Sequence, residues 1–120
     1  MRLGLGVIVA FACFLSGCAE QSQSIVGSNQ VTAGMTAAQV QQLMGPPKNR
    51  QFSGTDEAWQ YCETDYTGFA GDQYVLLWLS NGRVTGLERY TNTLTGTCDT
   101  FFRQIKFDDA PDTVVELRLR

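Results

Sequence analysis

The chain has no histidine among its 120 residues. That removes the commonest general base near neutral pH and the commonest transition-metal ligand. Charge is sparse as well: 9 bases stand against 12 acids, the net charge is −3, and no basic block exists. The electrostatic footprint of a nucleic-acid binder is therefore missing, and no nucleic-acid partner is expected. No apolar run is long enough to cross a bilayer. The longest, Leu3–Leu15, would span only about 20 Å as a helix, against a hydrocarbon core of about 30 Å. There is no C-x-x-C pair, no internal repeat and no low-complexity block. What is present is ordinary for a globular protein, with 43% hydrophobic residues in a length that allows one small domain.

The first residues read as a targeting segment. Arg2 precedes the apolar run, and the run closes on Leu15-Ser16-Gly17-Cys18. A short charged start followed by a short apolar stretch fits a signal peptide, here residues 1–17. The closing tetrad resembles the lipobox of bacterial lipoproteins. That resemblance implies cleavage before Cys18, a diacylglycerol on its thiol and a further palmitate-type chain on its amine. Several acyl chains anchor stably where one would be marginal. Ala19 rather than aspartate follows the cysteine, which resembles sorting to the outer membrane, with the protein facing the periplasm. The mature chain, residues 18–120, keeps eight bases against twelve acids, a formal charge of −4.

Cysteine usage follows from that processing. Cys13 leaves with the signal and Cys18 takes lipid, so Cys62 and Cys98 remain as an even pair in an oxidising compartment. A Cys62–Cys98 disulfide is expected. A metal site would need more ligands than the chain offers, and neither metal nor cofactor is expected.

Residues 18–31 are polar and rich in Gly, Ser and Gln, with Ile25, Val26 and Val31 the apolar exceptions. They read as the lipidated cysteine and a flexible tether, or alternatively, near 25–33, as a frayed first helix. The domain proper is expected over 32–120. It opens on Gly34-Met35-Thr36, with Thr36 placed to cap a helix and Gln39 to complete a capping box. Met35 and Val40 are spaced for a hydrophobic staple, Val40, Leu43 and Met44 share a face, and Gly45-Pro46-Pro47 ends the helix. Alternation predicts strands over Ala58–Thr64 and Arg83–Tyr90. Gln73–Ser80 is apolar on both faces and reads as the central strand. Asn81-Gly82 is a hairpin turn signal. Cys98–Phe107 fits either a strand or a short helix. Thr113–Leu119 alternates and reads as a last strand.

No catalytic constellation emerges. Asp56-Glu57 and Asp108-Asp109 read as turn acids rather than as paired carboxylates. Trp59, Tyr61 and Trp78 read as packing residues. Between the first two expected strands lies a loop with two aromatics, Tyr66 and Phe69. They are either partner-binding anchors or rings folded back onto the domain.

Gly34-Met35-Thr36, Val40, Leu43-Met44-Gly45 and Pro47, then Trp59 and Tyr61, then Leu77–Leu79, Asn81-Gly82 and Val84, together resemble the SmpA/OmlA (BamE-like) family of bacterial lipoproteins. The resemblance covers about residues 31–90 and leaves 91–120 as an unmatched C-terminal extension. It implies an α+β fold, with one or two short helices packed on a three- to four-stranded antiparallel sheet. It also implies a non-enzymatic outer-membrane lipoprotein that acts by protein–protein contact, in outer-membrane protein assembly or envelope integrity. Its partners would be envelope or assembly proteins and the membrane holding the chains on Cys18. The alternative is a periplasmic inhibitor or ligand-binding module that uses the aromatic loop.

Overall fold

The computed structural model describes residues 24–94 and 97–111. The signal peptide, Cys18 and the strand expected at 113–119 lie outside them.

The fold is α+β, with one α-helix packed on a four-stranded antiparallel meander. Helix α1 spans Ala37–Met44. The Thr36 hydroxyl accepts from the Gln39 N–H at 3.2 Å, and the Gln39 side chain accepts from the Thr36 N–H at 2.9 Å. A helix of eight residues is unstable alone. These caps, about 1 kcal/mol each, hold it while Val40 and Met44 bury against the sheet. The Tyr61 hydroxyl donates to the Gly45 carbonyl at 2.9 Å and fixes the far end of the helix.

The strands are β1 (Asn49–Ser53), β2 (Asp56–Glu63), β3 (Asp72–Ser80) and β4 (Arg83–Asn92), in the order β1-β2-β3-β4. The β3–β4 turn is Asn81-Gly82, at φ 51° and 75°, the left-handed pair that this kind of turn requires. A bulge at Trp78/Leu79 leaves Thr85 as the extra residue in β4. The fourth strand is β1, which the sequence reading missed. The Gly54-Thr55 turn joins it to β2. Asp56-Glu57 is therefore strand, not turn. Neighbouring strand residues point to opposite faces, so these two carboxylates cannot form a pair.

Both sheet faces are covered. One carries Trp59, Tyr61, Val75, Leu77, Leu79 and Val84 under α1. The other carries Ala58, Cys62, Tyr74, Leu76, Trp78 and Tyr90 under the segment 98–110. This explains the unbroken apolar run of β3. The covering segment is neither strand nor α-helix. It is a strap of two short 3-10 turns, Cys98–Phe101 and Phe107–Asp109, with extended chain between them. Asp108-Asp109 sits in the second turn.

The expected tether is shorter than read. Val26–Gln30 forms a 3-10 turn, Ile25 and Ser28 are buried, and Arg89 Nη2 donates to Ser28 Oγ and Asn29 Oδ1 at 2.8 and 3.0 Å. Two apolar residues, Ile25 and Val31, reach the core cluster there. That is too few to give a periodic signal, yet enough to cover the C-terminal end of α1. Gly27 permits the contact, since a Cβ there would lie 2.3 Å from the Leu43 carbonyl oxygen.

Candidate functional site

The sheet has two ends of different character. At one end lie the Gly54-Thr55 and Asn81-Gly82 turns. At the other, where Asp72 pairs with Asn92, residues 64–71 cross from β2 to β3. This loop is organised by one carboxylate. Asp65 Oδ1 accepts from the Thr67 N–H and hydroxyl, and Oδ2 accepts from the N–H groups of Ala70 and Gly71 at 2.7 and 3.0 Å. The Asp65 N–H in turn donates to Asp72 Oδ1 at 2.9 Å. Hydrogen bonds from the Thr67 side chain and then the Ala70 amide pull the Asp65 pKa down to about 2. Gly71, at φ 79°, closes the loop against β4, where a Cβ would come within 3.0 Å of the Asn92 carbonyl oxygen.

Held this way, the loop turns its aromatics outward. Tyr66 is 81% exposed and Phe69 95%, so the rings do not fold back onto the domain. Leu94, just past the end of β4, is 62% exposed. Between loop and strand runs an open groove of about 250 Å³, lined by Asp65, Gly71, Asp72, Asn92 and Leu94 among others.

Among the described residues, several other chemistry-bearing groups hold contacts within the fold. Cys62 and Cys98 are joined as a disulfide with Cα atoms 6.0 Å apart. Asp99 lies beside them, but disulfide sulfurs are not thiolate ligands, and Asp99 pairs with Lys48 at 3.2 Å. Glu57 binds Arg50 at 2.7 Å and accepts from the Trp59 indole at 3.3 Å. Burial raises the pKa values of Tyr61, Tyr74 (to about 12) and Tyr90, so all three remain protonated donors. The Tyr74 hydroxyl donates to the Cys98 carbonyl at 2.8 Å. Trp78 packs edge-on against Phe107 and donates to Glu88 at 3.0 Å.

The sequence reading missed a buried polar network. Gln60 is fully buried on the strap face of β2. Its Nε2 donates to the Arg103 carbonyl at 2.9 Å and to Asn49 Oδ1 at 3.0 Å. Its Oε1 accepts from the Arg103 N–H at 3.2 Å and from the Tyr90 hydroxyl. Gln51, on the neighbouring strand β1, also bonds the strap, donating to the Arg103 carbonyl at 2.9 Å and accepting from the Ile105 N–H at 3.0 Å. These amides stand in for a neighbouring strand. The Arg103 guanidinium lies 3.9 Å from the Tyr90 ring centroid. Alternation sets Gln60 on the same face as Ala58 and Cys62, and that was the available signal.

Compared with protein-family models, curated proteins and solved structures, the chain finds no match in any of the three.

Proposed function

We propose that this protein is a lipid-anchored, non-enzymatic component of the bacterial cell envelope. It is held at the outer membrane through acyl chains on Cys18, faces the periplasm, and acts by contact with other envelope proteins in outer-membrane protein assembly or envelope integrity. The observation that carries the reading is the disposition of polar groups. Glu57, Gln60, Asp65, Cys62, Cys98 and Asp99 each hold a structural contact. Set among exposed polar residues, the fold also offers outward a few apolar side chains, Phe52, Tyr66, Phe69 and Leu94 among them, and a strand edge. Of the two terminal strands, β4 is covered at its Arg83–Val84 end by residues 34–36; the edge considered is β1, where Phe52 is exposed with the Arg50 guanidinium 5.1 Å from its ring centroid. Edge strands are templates for partner chains, and β1 is the surface assigned here to a protein partner. A photo-crosslinking residue at Phe52, in cells, should yield adducts with an envelope protein. Absence of adducts at Phe52, together with no envelope protein recovered after mild crosslinking and purification, would count decisively against the reading.

A second reading has its own observation, the outward Tyr66 and Phe69 on a loop fixed by Asp65. In that reading the loop is presented to a soluble periplasmic protein, as in an inhibitor or ligand-binding module.

A further inference from the structure

We infer that the 64–71 loop is a membrane-contacting tip. Tyr66, Phe69 and Leu94 dip into the interfacial layer of the bilayer that holds Cys18, and they orient the domain with the Asn81-Gly82 end pointing away. This rests on the lipid-anchoring reading above.

The first support is where the chain leaves the domain. Ser28 and Asn29 are tied to Arg89 of β4, and Gly27 sits against the C-terminal end of α1. The Tyr61 hydroxyl holds Gly45 at that same level of the sheet, and Tyr61 and Arg89 both pair with Val75. The described chain therefore begins in the half of the domain that carries the loop. From Arg89 to Asn92, at the loop end, is about 10 Å along the strand. Ser24 follows Cys18 by six residues, a reach of at most about 20 Å. That reach allows an anchor on Cys18 to bring the loop end to the bilayer.

The second support is chemistry. The loop end presents a tyrosine, a phenylalanine and a leucine; tyrosine concentrates at the membrane–water interface, and Phe and Leu are the apolar side chains that interfacial segments bury at the headgroup–acyl boundary. The opposite end carries Asn81-Gly82, Gly54-Thr55, Asp56 and Arg83. Asp65 is engaged by four protein donors, so its carboxylate is not left facing lipid without partners. Residues 64–72 contain no lysine or arginine, so the contact is apolar and should not strengthen with anionic lipid or weaken with salt. A few side chains cannot hold a protein on a membrane by themselves. Tethering makes the second contact intramolecular, which lets a weak one persist.

The test uses the full mature lipidated protein, reconstituted into phosphatidylethanolamine-rich vesicles with lipids brominated near the top of the acyl chains. Phe69→Trp and, as the control at the other end, Thr55→Trp are compared with the parent, whose Trp59 and Trp78 are buried. An indole seated roughly 5–10 Å into the interface lies within reach of the bromines. The added emission of Phe69→Trp should shift to the blue and fall by about half, unchanged by salt, and that of Thr55→Trp should not. If the protein floats with the vesicles while Phe69→Trp is unquenched, the tip contact is wrong and the anchor stands. A shift seen instead on adding soluble periplasmic proteins overturns it in favour of a protein ligand. If the protein does not float, anchoring itself fails and the inference falls with it. Tyr66→Ser/Phe69→Ser should unfold like the parent and lose the quenching of a reporter placed at Ala70.

Discussion

Gln60→Met is the sharpest test of how the strap is held. The substitution conserves length and volume while deleting four hydrogen bonds, to Asn49, to both backbone groups of Arg103 and to Tyr90. At a net value near 1 kcal/mol each, the loss would be about 4 kcal/mol. Three of the orphaned groups keep a second partner. The Arg103 N–H also reaches the Tyr90 oxygen at 3.3 Å, and the Arg103 carbonyl and Asn49 Oδ1 each also accept from Gln51 at 2.9 Å. The expected cost is therefore about 2–3 kcal/mol. For a chain of this size that is roughly 10–20 °C in Tm. Gln60→Glu keeps the shape but sets a carboxylate oxygen against the Arg103 carbonyl and Asn49 Oδ1. The folded state then disfavours the charged form, so its pKa rises above the unfolded value of about 4.3. The added penalty is complete above the raised folded pKa and vanishes as pH falls below the unfolded one. Urea unfolding of the disulfide-intact protein, followed by near-ultraviolet circular dichroism from pH 3 to 8, reads both effects. A Gln60→Met cost below about 0.5 kcal/mol, or a Gln60→Glu penalty independent of pH, would refute the clamp. Gln51→Ala combined with Gln60→Met should be non-additive, because both amides donate to the Arg103 carbonyl.

Three further expectations concern the rest of the scaffold. Replacing Cys62 and Cys98 by serine opens a link across 36 positions; the chain-entropy model puts this at about 4 kcal/mol, and limited proteolysis should then cut first within 98–107. A stability change under about 1 kcal/mol in urea would remove the disulfide from the account. Asp65, with its folded pKa lowered to about 2 against an ordinary 3.8, supports the loop fully above the ordinary value, and that support disappears as pH falls through about 2. The carboxyl carbon of Asp65 followed by NMR should titrate there, and the amides of Ala70 and Gly71 should lose protection together with it; titration near 4 would show that the four donors do not hold the carboxylate. Gly27→Ala should push the N-terminal turn off α1 at a cost of about 1–3 kcal/mol, as overpacking does, and speed hydrogen exchange at Ser28 and Val31; an unchanged exchange pattern would mean the turn does not pack on Leu43.

What could be read from the sequence was what local chemistry determines. The capping box at Thr36 and Gln39, the stop at Gly45 and the Asn81-Gly82 turn depend on neighbours three or four positions apart, and all appear as expected. Strand β1 could not be read. NRQFS has no apolar alternation, because its inward residues Asn49 and Gln51 serve polar partners supplied from more than ten positions away. The strap resisted assignment for a related reason. Phe101, Phe102, Ile105 and Phe107 pack on the sheet from irregular backbone, so neither the helical nor the strand period applies. The aromatics of the loop were visible, but their outward orientation depends on Asp65 gathering the Thr67, Ala70 and Gly71 amides. That is a tertiary arrangement which the composition of the segment leaves open.

The two faces of the sheet differ because their covers differ. A helix satisfies its own interior backbone, so the face under α1 is largely apolar and supplies a polar group mainly at the helix end, as Tyr61 does at Gly45. A strap without regular structure brings unpaired N–H and C=O groups onto the sheet, and each would cost roughly 1–3 kcal/mol if buried without a partner. The face beneath it must therefore carry donors and acceptors among its rings. Gln51, Gln60, Tyr74 and Tyr90 meet that need at Cys98, Arg103 and Ile105. A cluster of buried amides and phenols with raised pKa values would ordinarily draw attention as a reactive centre. Here every one of those groups faces backbone of the same chain, and the cluster is accounted for by the strap. Among the described residues, the β1 edge and the tip that carries Tyr66 and Phe69 are left free to recognise something else. They lie on different sides of the domain, so a membrane contact at one leaves the other open to a protein partner.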